Sequence, residues 1–377
     1  MPRRRHDDDQ PLLFGSDEPD RRPGADAGES PRAADDHPRR RRTTRGEIET
    51  ASNTGGLTHA GASSAEDPDL PRPATVTPDM VTLARELPRS IRLGTSSWSF
   101  PGWQGHVFAN QPTMTSLARE GLAAYAQHPM LRTVGIDKTF YRPAPASEFA
   151  RLARQVGDEF RFLVKAHEAI TRRDGGDVAS RWLDAHYASD QVIGPCVEGL
   201  GSKAGPIVFQ FTPQGIRRDR DADEFIGDLA RFLGALPRGP LYAVEVRDRR
   251  LLRAAYREAL HHAGVAHCFN IHPSMPPLPE QAKLIDPIDG PALVVRWMLH
   301  SGYGYEEALA RYEPFARIVD PDPDGRAAIA RFCRAATGAG LASWVIVNNK
   351  AEGSAPLSVF ELARNIIRGA HETHHHA

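Results

Sequence analysis

The sequence is poor in cysteine and has no long hydrophobic run. Its 377 residues include three cysteines, Cys196, Cys268 and Cys333, which lie far apart and form no CxxC pair. This pattern excludes a disulfide framework and a thiolate zinc site, and it is typical of the reducing cytosol. No apolar run approaches the roughly 18 residues of a membrane span, and the arginine-rich start lacks a signal-peptide core. We therefore expect a soluble, cytoplasmic protein without a membrane partner.

The sequence also lacks a charge excess and several common functional motifs. Its 47 Lys and Arg residues nearly balance its 48 Asp and Glu residues. This balance excludes the overall basic field typical of nucleic-acid proteins, although a local basic patch, and hence a nucleic-acid partner, stays open. No GxSxG elbow, GxxxxGK[ST] loop or GxGxxG fingerprint occurs. The order of strands and helices is therefore the main guide to function.

The beginning of the chain differs in composition from the rest. Up to about residue 73 it is rich in Arg, Asp, Pro, Gly, Ser and Ala and has almost no large apolar residues. Such a segment cannot bury enough surface to offset the entropy lost on ordering, so we expect disorder. We divide the chain into an N-terminal tail (residues 1–88), a folded domain (residues 89–370) and a His-rich C-terminal tail (residues 371–377).

One short motif interrupts the N-terminal tail. The apolar segment Gln10–Phe14 fits the Q-x-x-L-F pattern of bacterial sliding-clamp-binding peptides. This pattern predicts a sliding clamp as a partner, contacted through Gln10, Leu13 and Phe14. The alternative is an apolar turn that has no partner.

Short apolar stretches alternate with helical segments over most of the chain. Amphipathic helices are predicted at residues 223–236, 251–263 and 357–367, where apolar residues recur on one face. Strands that alternate with helices indicate parallel βαβ units, and eight units close a (β/α)8 TIM-type barrel. The eight predicted strands are Ile91–Thr95, Leu131–Asp137, Phe160–Lys165, Pro206–Phe211, Leu241–Val246, Val265–Asn270, Ala292–Trp297 and Ser343–Asn348.

Polar and charged residues at the strand ends form the predicted site. In this fold the active site lies at the carboxyl ends of the strands, and alternate side chains enter the barrel. Strand parity turns seven polar residues toward the mouth, namely Asp137, Lys165, Gln210, Glu245, Arg247, Arg296 and Asn348. Three cations favour a small ligand that carries phosphate or carboxylate. The alternative is a set of ion pairs that only neutralise one another.

We assign roles to these residues by their chemistry. Glu245, Lys165 and Asp137 are the catalytic candidates, because carboxylates and lysine transfer protons. Arg247 and Arg296 would bind an anion. Amides fix hydroxyl groups or base edges, and the amide candidates are Gln210, Asn348 and Asn349. Trp98, beside a Gly-rich turn after the first strand, would stack on a ring, or it would cap the core instead.

Six sequence motifs resemble those of one family. The stretch Leu93–Trp103, which reads LGTSSWSFPGW, resembles the opening motif of the YecE-like family, the domain of unknown function 72. Similar motifs follow in the right order at Thr133–Arg142, Phe162–Ala166, Gly205–Phe211, Ala243–Arg247 and Val347–Pro356. The resemblance implies a barrel of this kind and adds Tyr141, within the second motif, to the ligand-binding candidates. It implies no particular activity.

The chain departs from the family pattern at the second and seventh strands. Gly135 and Asp137 stand where the family usually has Glu and Asn, and Lys138 replaces a small Ser. Asp137 would restore a negative charge near the position of the lost Glu. After the seventh strand, Trp297–His300 replaces the expected His-Gly. The resemblance therefore identifies a divergent member.

Three kinds of function fit these observations. We expect an enzyme, a hydrolase or a lyase, that acts on a phosphorylated or otherwise anionic substrate. The alternatives are a DNA-associated factor tethered to the sliding clamp and a noncatalytic ligand-binding protein. No cofactor is evident, and no metal ligand is assigned. The metal-ligand candidates share no ligand spacing, which leaves only a catalytic divalent metal open; they are Asp137, His167, Glu168, Glu245, His272 and His300.

Overall fold

The structure of the protein, a computed structural model, describes residues 67–374 except residues 175, 177 and 214. The clamp-binding motif Gln10–Phe14 and the predicted disorder before residue 67 lie outside the described residues. No helix in the described part of the chain is both long and apolar enough to cross a membrane.

Eight parallel strands close a barrel in sequence order. Each strand pairs with the next, and the first pairs with the eighth through registers such as Leu93 with Val345. The predicted (β/α)8 barrel is thus confirmed, and every strand boundary lies within two residues of its predicted position. The strands are β1 (Ile91–Thr95), β2 (Thr133–Ile136), β3 (Arg161–Lys165), β4 (Ala204–Phe211), β5 (Tyr242–Val246), β6 (Ala266–Ile271), β7 (Leu293–Trp297) and β8 (Ser343–Val347).

Helices surround the barrel. The residues of the helix Asp219–Gly234 that face the sheet are apolar, as the predicted amphipathic pattern requires. The helices are α1 (Pro78–Glu86), α2 (Met114–Tyr125), α3 (Ala146–Ala153), α4 (Glu168–Thr171), α5 (Ala185–Ala188), α6 (Gly194–Leu200), α7 (Asp219–Gly234), α8 (Ala254–Ala263), α9 (Leu278–Ala282), α10 (Tyr305–Tyr312), α11 (Pro323–Gly338) and α12 (Ala355–His374).

The inside of the barrel is filled in layers. Seven buried apolar residues form a separate cluster inside the ring of strands: Leu163, Val208, Ala243, Ala266, Cys268, Val294 and Ile346. The other face of each strand packs against the helices in the main core. Because side chains alternate along a strand, the residue two positions further on also points inward. The apolar cluster therefore forms a floor beneath the polar layer at the strand ends.

The folded domain begins earlier than residue 89. Helix α1 starts at Thr77, whose hydroxyl accepts a hydrogen bond from the backbone N–H of Met80, and it buries Ala84. The Arg132 guanidinium donates to the carbonyl oxygens of Ala84 and Leu87 at the end of this helix. The predicted tail of residues 1–88 is therefore too long. Thr77 and Pro78 are an N-cap and a first-turn proline that signal this helix in the sequence.

The C-terminal boundary also differs. Helix α12 continues to His374 and so includes four residues of the predicted tail at 371–377. The first part of the predicted His-rich tail is thus helical. A helix whose earlier turns are anchored in the core extends readily, because each added residue gains one backbone hydrogen bond.

Candidate functional site

A layer of polar side chains lies directly above the apolar floor of the barrel. Lys165, Gln210, Glu245, Arg296 and Asn348 each follow a floor residue by two positions, and all are 5% exposed or less. Gln210 and Glu245 are also direct neighbours in the pairing of β4 with β5. The fold thus brings together side chains that are far apart in sequence.

Glu245 is held between two arginines. One carboxylate oxygen accepts a hydrogen bond from Nε of Arg247 at 2.6 Å and forms an ion pair with Nη2 of the same residue at 2.6 Å. The other accepts a hydrogen bond from Nη1 of Arg296, also at 2.6 Å. The Arg296 Nη1 donates as well to the Gln210 amide oxygen, at 2.9 Å. Charge-assisted bonds of this length fix the planes of both guanidinium groups.

Asp137 completes the network from the second strand. Its carboxylate oxygens accept hydrogen bonds from Nη2 of Arg296 at 3.0 and 3.2 Å. A Cβ at Gly135 would lie 3.5 Å from an Asp137 carboxylate oxygen, an ordinary van der Waals distance. Asp137 therefore adds a second carboxylate to the network, directly after β2.

The electrostatic balance keeps Glu245 ionised. Burial alone would raise the pKa of Glu245, but the positive charges of Arg247 and Arg296, with Lys165 beyond them, hold it below the usual value. Burial opposes the charge on Arg296, yet Glu245 and Asp137 raise the pKa of this guanidinium. A carboxylate with a lowered pKa is a poor proton donor near neutral pH.

A narrow pocket opens above these residues. Its volume is about 30 Å³, room for about two water molecules or the end group of a small ligand. Four of the lining side chains are cationic and one is a carboxylate. The lining residues are Asp137, Tyr141, Lys165, Gln210, Arg247, His272, Arg296, Met298, Leu299, Tyr305, Asn348 and Lys350. Even with the Glu245 carboxylate behind the wall included, the mouth retains a positive excess, which favours anions.

Most of the predicted site residues meet at this pocket. Seven of them line it: Asp137, Tyr141, Lys165, Gln210, Arg247, Arg296 and Asn348. Glu245 is fully buried and lies behind the two arginines rather than on the pocket wall. A ligand in the pocket thus meets the arginines before it meets this carboxylate.

Two predicted ligand-binding residues lie elsewhere. Trp98 is 4% exposed, and its indole N–H donates to the carbonyl oxygen of Leu117 at 3.1 Å. The Asn349 amide oxygen accepts from the indole N–H of Trp103 and from the backbone N–H of Ala355. Both side chains therefore form hydrogen bonds within the protein interior near β1 and β8. Neither Trp98 nor Asn349 therefore lines the pocket at the mouth.

The loops add residues that strand parity did not predict. Lys350, in the loop after β8, lies with its Nζ 4.3 Å from the centre of the Tyr305 ring. Met298 and Leu299 follow β7, whereas His300 of the same loop does not line the pocket. Parity ends where a strand ends, so the only sequence signal for these residues is their closeness to a strand terminus.

No cluster of three or more His, Cys, Asp or Glu side chains that could hold a metal ion occurs in the described part of the chain. His272 lines the pocket, but His167 and Glu168 contact other groups. The His167 ring bonds the Tyr187 hydroxyl at 3.0 Å, and Glu168 pairs with Arg172 at 3.2 Å. The mouth is dominated by cations, which favour anionic ligands over metal ions.

The fold and its charged mouth define a (β/α)8 barrel with a cationic pocket at the carboxyl ends of its strands. A family model described as "Protein of unknown function DUF72" matches residues 92–376. The chain therefore belongs to the DUF72 family, as its six motifs predicted. No curated protein matches the sequence.

The chain is similar to two solved structures of DUF72 family proteins. A DUF72 family protein from Enterococcus faecalis is 16% identical, with 73% of this chain and 95% of that chain covered and a TM-score of 0.52. A second DUF72 family protein, from Thermotoga maritima, is 18% identical, with coverages of 73% and 98% and a TM-score of 0.48. At 16% identity the likeness to the Enterococcus faecalis protein concerns the fold alone.

Proposed function

We propose that the barrel mouth binds the anionic group of a small ligand, and that the protein is an enzyme acting on a phosphorylated or otherwise anionic substrate there. The observation that carries this proposal is the pair Arg247 and Arg296. Both guanidinium groups are buried, held by Glu245 at 2.6 Å, and placed on the wall of one pocket.

The energetics of burial support a functional role for this pair. Burying charged groups costs several kcal/mol each, and apolar side chains often stabilise such a position better. The protein nevertheless keeps two arginines and two carboxylates above an apolar floor. Because Glu245 fixes the guanidinium planes in advance, an anion would bind without the entropy cost of ordering long side chains.

The two carboxylates differ in how a ligand would reach them. The Asp137 side chain is 12% exposed and lines the pocket, whereas the Glu245 side chain is fully buried. We therefore assign proton transfer to Asp137 and a positioning role to Glu245. Lys165, whose Nζ lies 3.6 Å from the centre of the Phe140 ring, supplies a further positive charge at the same pocket.

Replacing Arg247 with alanine should weaken anion binding. Titration with inorganic phosphate should raise the thermal stability of the wild type, and the variant should lose about 1.5–3 kcal/mol of this stabilisation, the scale of charge-assisted hydrogen bonds. Arg249→Ala is the matched control, because Arg249 is exposed just beyond β5 and does not line the pocket. Equal phosphate stabilisation of all three proteins would rule out anion binding at the mouth.

The same titration of Glu245→Gln tests the role of Glu245. Loss of a negative charge behind the arginines should tighten phosphate binding while lowering the stability of the free protein, because two buried cations lose a partner. Weaker phosphate binding by Glu245→Gln would mean that the orientation Glu245 gives the arginines matters more than its charge.

Turnover of phosphorylated compounds by the wild type separates an enzyme from a noncatalytic binding protein.

The tail motif supports a second candidate function, that of a DNA-associated factor tethered to the sliding clamp. Gln10, Leu13 and Phe14 match the clamp-binding pattern, although they lie outside the described residues. A labelled peptide of residues 1–25 should bind a purified bacterial clamp with about micromolar affinity, since a short peptide loses entropy when ordered. A peptide with Leu13→Ala and Phe14→Ala is the control. Indistinguishable binding curves for the two peptides would remove this candidate.

A further inference from the structure

A second, larger cavity lies beside the mouth. It has a volume of about 570 Å³, within the range of sites for small molecules. One wall runs from Ile271, the last residue of β6, to Pro279, the other is the start of α11, and Ser301 also lines the cavity. The mouth pocket, at about 30 Å³, is far smaller. An end group fits the first space, and the second has room for the body of a small ligand.

The wall after β6 is rigid and mainly apolar. Pro273, Pro276, Pro277 and Pro279 all line the cavity, and each fixes one backbone angle. Buried apolar side chains on both walls add to the lining, among them Met275, Leu278 and Ala328. A preformed apolar cavity gains binding energy from apolar surface without a large ordering cost.

The charges of the second cavity differ from those of the mouth. Asp322, Asp324 and Arg331 line it, so carboxylates outnumber cations. The Asp322 carboxylate accepts from the backbone N–H of Gly325 at 2.9 Å and thereby caps α11. An anionic group is therefore favoured at the mouth and disfavoured in the second cavity. This difference sets the direction in which a ligand would lie.

His272 lies between the two spaces, because it lines both. Its Nδ1 accepts a hydrogen bond from the backbone N–H of Ser274 at 3.2 Å and lies 2.8 Å from the Ser274 hydroxyl. A nitrogen that accepts from a backbone N–H carries no proton, so the neutral ring has its proton on Nε2. The turn at Ser274 thus fixes the tautomer of the residue at the junction.

We propose that the mouth and the second cavity form one binding site for an amphiphilic ligand. Its anionic end group would lie between Arg247 and Arg296, and its uncharged apolar body would fill the cavity between the proline-rich wall and α11. His272 would contact the ligand where the two parts join. This inference rests on the proposed function, since it takes the anion pocket as one end of the site.

A matched series of phosphonates tests this inference on the full chain by calorimetry. Methylphosphonate and 3-phenylpropylphosphonate carry the same anionic group and differ only in the apolar body. The phenylpropyl compound should bind about tenfold tighter to the wild type, because burial of an aromatic ring contributes on this scale. Ser301→Trp, at an exposed position on the cavity wall, should remove most of this gain. Ser301→Ala, which leaves the cavity open, should keep it.

Ala327→Trp, on the opposite wall, provides a second variant should Ser301→Trp fail to fold. Equal affinity of the wild type for both phosphonates would overturn the inference and leave anion binding intact. Retention of the full gain in both tryptophan variants would also overturn it, since the apolar body would then lie elsewhere. Failure of methylphosphonate and inorganic phosphate to bind would instead contradict the proposed function.

Discussion

Replacing Arg296 with methionine should lower the free energy of unfolding by about 3–5 kcal/mol, the usual loss when one partner of a buried ion pair is removed. Arg296 is 1% exposed and bonds Glu245, Gln210 and Asp137 at once. Its loss leaves Asp137 without this partner and Glu245 with Arg247 alone. Guanidinium denaturation followed by circular dichroism at neutral pH measures the effect.

Two further variants identify its cause. Arg311→Met removes an exposed arginine that pairs with Asp320, and surface pairs of this kind contribute little. Arg296→Met combined with Glu245→Gln removes the buried charge together with its partner and should recover part of the lost stability. A loss in Arg296→Met no larger than in Arg311→Met would contradict the view that this network is a buried, strongly coupled unit.

Acidification should destabilise the protein through His267. This side chain is buried against α8, with its Nδ1 3.0 Å from the Tyr256 hydroxyl, and burial lowers its pKa from 6.5 to about 4. Because the unfolded chain takes up the proton first, the contribution of His267 is complete above pH 6.5 and is lost as the pH falls toward about 4. At about 1.4 kcal/mol per pKa unit, the loss amounts to about 3 kcal/mol.

Comparison with His267→Asn isolates this contribution. Asparagine keeps a polar side chain at the position but does not titrate. The free energy of unfolding of the variant should therefore fall less steeply than that of the wild type between pH 6.5 and pH 4. His128, whose pKa burial also lowers to about 4, titrates in both proteins and cancels in the difference. Parallel curves for the wild type and the variant would show that His267 protonation does not limit acid stability.

Strand parity made most of the site predictable. Lys165, Gln210 and Arg296 lie at strand ends where side chains alternate with a period of two, and a closed parallel barrel turns the alternate ones inward. The inward direction of these side chains follows from local sequence alone. The strand boundaries were predictable for a second reason: each apolar stretch ends where polar residues begin.

The rest of the site depends on distances that sequence does not contain. Lys350 follows β8 and Tyr305 begins α10, so both reach the pocket from positions where strand parity does not set the direction of a side chain. The position of Glu245 behind its arginines follows from atomic packing between β5 and β7. Trp98, which the sequence suggested as a stacking residue, instead packs in the core, where its indole N–H has an acceptor. Sequence alone does not distinguish the two positions, because an indole is stable in either once its N–H is hydrogen-bonded.

The contact between Arg132 and the start of the domain bears on where the chain can be cut. The Arg132 guanidinium bonds the carbonyl oxygens of Ala84, Leu87 and Pro88, and α1 packs against α12. The family match, in contrast, begins at residue 92. A recombinant fragment started there would lose the acceptors of a partly buried cation and uncover apolar surface on the last helix. A recombinant fragment of the barrel alone should therefore start before residue 77. A start near residue 67 also keeps Asp69, whose carboxylate accepts a hydrogen bond from the backbone N–H of Thr113.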